Sequence, residues 1–280
     1  MNCIFALVSN NYNKLGLEDQ IAFCKISAAG IRQRPDSRSP LLSQVLFGEV
    51  VKIIRRKSKR WCRIECSWDN VIGWVDLKQF HVPKNDVSDF VDCDSFALEL
   101  IHGAISSNQV LPITIGANLW YCDGINFKVP FGKFQYSGQI LNLEQSGKSA
   151  KLLVNVVKRF VHAPYLYGGR SIGGIDSAAL AQLAFKLIGI GLPRYAHEQA
   201  ELGNDVGFLE QSRVGDLAFF QDKGGDIIHV GIVLEDQKII HVDGMVRIDG
   251  LDQQGIFDLN TKKYSFRLRT IRRPFELNHN

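Results

Sequence analysis

The sequence predicts an α+β chain in which two small β-barrels are followed by a domain of helices packed on an antiparallel sheet. Three observations carry that prediction. Between Ile21 and Phe80, and again between Leu111 and Leu143, apolar and polar residues alternate in short runs rich in β-branched side chains and broken by turns. After Lys151 the apolar period becomes helical. Beyond Gly215, strand-like runs return, as an antiparallel sheet paired with few helices requires. The predicted boundaries are 1–82 for the first barrel with its N-terminal extension, 83–148 for the second barrel and 149–280 for the helix-and-sheet domain.

A chain of 280 residues can bury a sizeable core and hold two or three domains. Its 33 Lys and Arg against 29 Asp and Glu leave a formal charge of +4, too little over this length to argue for nucleic acid. The opening "MNCIFALVSNNYNKLGLEDQ" has a short apolar run without a basic leader or a small-residue cleavage site. No stretch reaches the roughly 18 apolar residues of a membrane span. A cytoplasmic protein with no membrane partner is therefore expected.

In the first barrel the runs are "AFCKISAAGIRQRP", "LLSQVLFGEVVKIIRR" and "RWCRIECSWDNVIGWVDLKQF". Cys62 and Cys66 alternate with Trp61, Arg63 and Glu65, so they share the inner face of a strand with Ile64. The six cysteines (Cys3, Cys24, Cys62, Cys66, Cys93 and Cys122) all fall in the first half of a chain too long to need disulfide staples. A zinc site would want closer pairing plus histidines, so neither metal nor cofactor is expected. Arg55, Arg56, Lys57, Lys59 and Arg60 lie where a hairpin must turn and read as a solvated turn, because no exposed aromatics interleave with them.

"HVPKNDVSDFVDCDS" is polar enough for a linker, and "LPITIGANLWYCDGINFKVPFGKFQYSGQILNL" then repeats the barrel texture. "EQSGKSA" reads as the second boundary. In "KLLVNVVKRFV" the apolar positions 152, 153, 156, 157 and 160 share one helix face, and the helix must stop before Pro164. Asp176 can cap a second helix whose apolar positions 180, 183, 184, 187 and 188 form a stripe ending before Gly189. The strand-like runs are "GDLAFFQD", "IIHVGIVLED", "KIIHVDG" and "SFRLRTIRR".

A helix N-terminus offers unpaired N–H groups and a positive dipole end, which lower a thiol's pKa and can hold an oxyanion. The residue delivered there is Ser177, which gains less, since an alcohol needs a base at the moment of attack. Ser177 is thus a nucleophile, a first-turn helix residue, or the remnant of a different nucleophile. His229 and His241 sit on successive strands joined by a tight connection near Asp236, and antiparallel pairing brings them together directly or diagonally. They are either a base with its orienter or a structural pair.

The stretches "APYLYGGRSIGGIDSAALAQ", "LPRYAHEQAELG" and "GDLAFFQDKGGDIIHVGIVLEDQKIIHVDGMVRIDGLDQQGIF" resemble the catalytic domain of the NlpC/p60 papain-like cell-wall peptidases. The upstream barrels resemble the bacterial SH3-type modules of the γ-D-glutamyl-L-diamino-acid endopeptidases of peptidoglycan recycling. The resemblance runs from about Ile21 to Arg272. It implies that Ser177 stands where the family's G-x-D-C-S-G loop has its cysteine nucleophile, that Ala178 replaces the neighbouring serine, and that His229 and His241 are the base and its orienter. It also implies that the ligand wall is changed. Tyr195 and Ala196 stand where the family has Asp-Ser or Asp-Ala to bind a free amine, Pro40 where it has a barrel glutamate, and Val71 where it has a tyrosine. Asp176, Tyr167 and Arg170 complete the implied ligand-binding set.

The expectation is a retained fold with a degenerate peptidase site, inactive or strongly impaired, that binds a peptidoglycan-derived peptide or a related small molecule and no nucleic acid. Two alternatives stay open: a hydrolase using Ser177 with His229 as base, and an SH3-type interaction module.

Overall fold

The computed structural model describes residues 20–90, 92–107 and 109–278; the N-terminal stretch read above for a leader, and Cys3 within it, lie outside the described residues. The chain forms two compact units, Met1–Glu144 and Gln145–Asn280. The break falls inside "EQSGKSA".

The first unit opens with β1 (Ile21–Cys24), β2 (Ala28–Arg32), β3 (Leu41–Leu46), β4 (Val50–Arg56), β5 (Trp61–Cys66), β6 (Ile72–Asp76) and β7 (Phe80–His81), in one barrel-like sheet of order β3-β2-β6-β5-β4-β1-β7. Alternation decides which side chains go in: Ala29, Ile31, Val51, Ile53, Cys62, Ile64, Cys66 and Val75 form one buried cluster, with both cysteines beside Ile64 as expected. Burial pushes the Cys24 thiol up to about 12, which makes it a packing residue with no thiolate at neutral pH.

The unit continues with β8 (Ser95–Ala97), β9 (Ile101–Ile105), β10 (Val110–Thr114), β11 (Asn126–Val129), β12 (Gly132–Tyr136) and β13 (Ile140–Asn142), arranged as a four-stranded sheet β10-β9-β12-β11 and a pair β13-β8. Part of the expected linker is built into the core. Val87 and Phe90 join Phe23 and Phe47 in a core shared with Ala104, Ile113, Phe127 and Phe134 of the second sheet. Phe47 meets the rings of Phe127, Phe131 and Phe134 edge-on at 5.9, 5.8 and 5.9 Å, and the Trp120 indole donates to the Gly48 carbonyl at 2.7 Å. Two sheets this small each bury too little alone, and a common core removes that shortage.

The second unit holds α1 (Ala150–Lys158), α2 (Ser177–Lys186) and the short α3 (Ala196–Gln199), with β14 (Leu217–Gln221), β15 (Ile227–Val233), β16 (Lys238–Asp243), β17 (Met245–Leu251), β18 (Gly255–Asp258) and β19 (Lys263–Arg273). The antiparallel order is β19-β14-β15-β16-β17-β18, with the two-residue edge strand Asn204–Asp205 on the outer side of β19, and β18 pairs back onto β19. The long β19 makes this closure possible: its first residues pair with β18 and its last with β14, both ladders meeting at Arg267. α2 lies against β15 and β16 on one side and α1 on another. It is therefore buried all round from Ala178 to Lys186, Gln182 and Lys186 included, where the sequence pattern showed a single stripe. Among the described residues no helix is long and apolar enough to cross a membrane.

Candidate active site

Asp176 has a non-helical backbone and caps α2, accepting from the Ala179 N–H at 2.9 Å. Its other oxygen accepts from the Gly168 N–H at 3.0 Å, and the buried Arg194 guanidinium holds both oxygens, at 3.0 and 2.5 Å. The carboxylate is thus taken up in building the loop. Gly169 lets the loop close, because a Cβ there would lie 2.3 Å from the Gly174 carbonyl oxygen. Ser177 follows at the first helical position, half-buried, and among the described residues its hydroxyl has no hydrogen-bond partner. Ala178 is buried, and its carbonyl accepts from the Gln199 amide at 3.0 Å, which ties α3 to the first turn of α2.

The two histidines meet diagonally across β15 and β16. His229 Nε2 lies 3.0 Å from His241 Nδ1, and both rings are buried. Gly231 makes room between them: a Cβ there would crowd Ile239 at 2.5 Å and the His241 Cβ at 3.1 Å. Phe266 of β19 stacks on the His229 ring at 4.1 Å, with the planes 5° apart. Burial, and then the neighbouring His241, hold His229 well below its ordinary value near 6.5, so it is neutral at pH 7.

The sequence reading missed what lies behind this pair. His241 Nε2 is 3.0 Å from Asp249 Oδ2 on β17, and Asp249 is buried. Arg247 braces it, with Nε 2.6 Å from Asp249 Oδ2 and a terminal nitrogen 2.8 Å from Asp258 Oδ1. Burial works to raise the Asp249 pKa, but hydrogen bonds from His241, the Leu259 N–H and Arg247 outweigh it and bring the carboxyl below its usual value. An ionised Asp249 can only accept, so His241 carries its proton on Nε2. His229 Nε2 and His241 Nδ1 share one proton across their 3.0 Å contact; in the tautomer where His229 donates it, the His229 lone pair is on Nδ1, a nitrogen with no partner among the described residues. α2, which carries Ser177, packs on β15, the strand that carries His229. Spacing alone does not reveal Asp249, since only the β16–β17 register brings it back to His241.

Arg170 is fully buried and donates from Nε to Gln182 at 2.8 Å, so it braces the loop against α2. Tyr195 is half-buried at the head of α3; its N–H donates to the Glu198 carboxylate at 3.3 Å, and its ring sits between the Arg194 guanidinium at 5.8 Å and the His197 ring at 5.8 Å. Ala196 begins the same helix. Tyr167 is 64% exposed and, with Tyr165 and Leu166, forms an exposed apolar rim one loop away from Ser177. In the first unit Pro40 is exposed and Val71 is buried in the barrel core.

Residues 162–264 match the NlpC/P60 family, and residues 31–80 match the bacterial dipeptidyl-peptidase SH3 domain. The chain is 33% identical over 140 residues to a gamma-D-glutamyl-L-lysine dipeptidyl-peptidase of Bacillus subtilis (strain 168), covering 49% of this chain and 46% of that protein. It therefore spans about half the length of that relative. Against dipeptidyl-peptidase 6 of Lysinibacillus sphaericus it is 22% identical over 252 residues, 81% of this chain and 90% of the other. A crystal structure of an NlpC/P60 family protein from Bacillus cereus ATCC 10987 superposes with a TM-score of 0.76 at 22% identity, over 91% of this chain and 99% of that one. At that identity the likeness shows the fold.

Proposed function

From a chain that carries an NlpC/P60 domain behind a bacterial SH3 domain, we propose a catalytically silent or strongly impaired homologue of a peptidoglycan-recycling γ-D-glutamyl-L-diamino-acid endopeptidase, retaining the fold to bind a peptide-like ligand. The finer assignment of residues 83–148 as a second SH3-like barrel belongs to the same reading, supported by the short strands and by the core they share with the first sheet. The observation that carries the proposal is Ser177 at the head of α2, where thiolate chemistry needs cysteine. The helix N-terminus favours an anion that a thiol forms near neutral pH and an alcohol does not. Loss of the nucleophile in a triad-type hydrolase costs on the order of a million-fold in turnover. Tyr195 and Ala196 supply no carboxylate for a ligand's ammonium, so an N-blocked or uncharged end is preferred. Titration calorimetry with L-Ala-γ-D-Glu and its N-acetyl form tests this, with tighter binding of the N-acetyl form expected. Tighter binding of the free amine contradicts it.

One observation favours a second reading, a serine hydrolase. The histidine pair ends on a buried, ionised Asp249 and leaves His229 Nδ1 free, which is the electrostatic support a hydroxyl nucleophile requires. A fluorophosphonate probe separates the two readings: covalent labelling of Ser177, mapped by peptide mass spectrometry, supports the hydrolase, and an unlabelled Ser177 supports the silent homologue.

A further inference from the structure

The basic cluster at the β4–β5 hairpin reads from sequence as a solvated turn, on the ground that no aromatics interleave with it. Strand pairing supplies them. Arg32 of β2 is opposite Trp74 of β6, Trp74 is opposite Arg63 of β5, and Arg63 is opposite Arg55 of β4. The four side chains therefore form one row across adjacent strands, over about 14 Å at the usual strand spacing. The residues next to Arg32, Arg63 and Trp74, namely Ile31, Ile64 and Val75, are buried, and on β4 a bulge between Ile53 and Arg55 turns the exposed Arg55 to the same outward face. Trp61 stands two residues along the same face, opposite Asp76, and Lys57 reaches over the Trp74 ring at 6.0 Å.

The charges on this face are unbalanced. Asp76 is occupied by Arg60 at 2.6 Å, and Glu65 is opposite Lys52. Arg55, Lys57 and Arg63 have no carboxylate partner among the described residues, although Arg55 and Arg63 are directly opposed, an arrangement that costs stability unless an anion joins them. Guanidinium groups match phosphate oxygens in a two-point fork, and the half-buried Trp74 indole between Arg32 and Arg63 offers a face on which a flat ring stacks, whereas the Trp61 ring is already covered by Arg60 at 5.5 Å. An acidic peptide would use the cations and leave the Trp74 indole idle. A chain that alternates phosphates with flat rings uses both.

We propose that the outward face of the first sheet binds single-stranded nucleic acid, with phosphates on Arg55 and Arg63 and a base stacked on Trp74 in exchange for Lys57. This site is independent of the reading given to Ser177. Fluorescence anisotropy on the full chain tests it, with a labelled oligothymidylate of about 12 nucleotides, an abasic oligomer of equal length, and polyglutamate. The oligothymidylate should bind roughly tenfold or more tightly than either comparator, with affinity falling steeply as salt rises. Arg55→Glu and Arg63→Glu, both at exposed positions, should each weaken it by roughly tenfold while the thermal midpoint is kept. Trp74→Ala should abolish the preference over the abasic oligomer. The proposal fails if no oligonucleotide binds, if polyglutamate or the abasic oligomer binds equally well, or if the two charge reversals change nothing.

Discussion

At His229 a buried imidazole is held neutral between a stacked phenyl ring and a second imidazole, and that state has a measurable price in acid. Its folded pKa is depressed, so the unfolded chain binds the proton first. Stability is full above about pH 6.5 and falls as the pH drops from there toward the folded value. Thermal midpoints measured from pH 8 to pH 5 should show this loss. His229→Gln, whose amide can still donate to His241, should flatten the profile, and an unchanged slope would show that His229 is not the titrating group. Ser177→Cys tests the other half of the site. The cysteine should be alkylated faster near neutral pH than an ordinary surface thiol, because the α2 N-terminus favours the thiolate, while cleavage of L-Ala-γ-D-Glu-diaminopimelate peptides stays poor. Efficient cleavage on that single change would mean that the ligand wall is intact.

The loop and first turn of α2 are organised around Asp176, which accepts from two backbone N–H groups and a bidentate guanidinium. Asp176→Ala removes the cap and leaves the buried Arg194 without its carboxylate, which should cost about 3–5 kcal/mol. Equilibrium denaturation reads this directly, and a loss below about 1 kcal/mol would mean that Arg194 finds another partner. This element was legible in the sequence, because a capping aspartate followed by a helical apolar period is a local signal. The α1 face and the facing histidines were legible for the same reason. Asp249, Arg247 and Phe266 were not, since they reach the histidines only through the β16–β17 register and the closure of β19 onto both sheet edges. Nor did the pattern reveal that α2 is buried all round, because its alanines are read as neutral and only packing from three sides makes them core. The Arg–Trp row escaped notice in the same way: its members lie far apart in the chain and are aligned by pairing.

Over the whole chain, the domain texture was legible and the division of the core was not. Alternation marked both N-terminal sheets, but the polar composition of residues 81–95 hid Val87 and Phe90, whose burial merges the two sheets into one unit. Cleavage between Glu144 and Gln145 should accordingly yield a 145–280 fragment that melts cooperatively by itself, whereas cleavage near residue 83 should unfold both sheets together. Differential scanning calorimetry of the fragments distinguishes these outcomes. The proposed silent-homologue reading rests in turn on a single chemical point, that a buried histidine pair cannot replace a missing thiolate. It is tested most directly by incubating the wild-type protein with L-Ala-γ-D-Glu-diaminopimelate peptides and following products by mass spectrometry. No cleavage above the uncatalysed background is expected, and product formation at a rate comparable to a cysteine-bearing NlpC/P60 peptidase would contradict it.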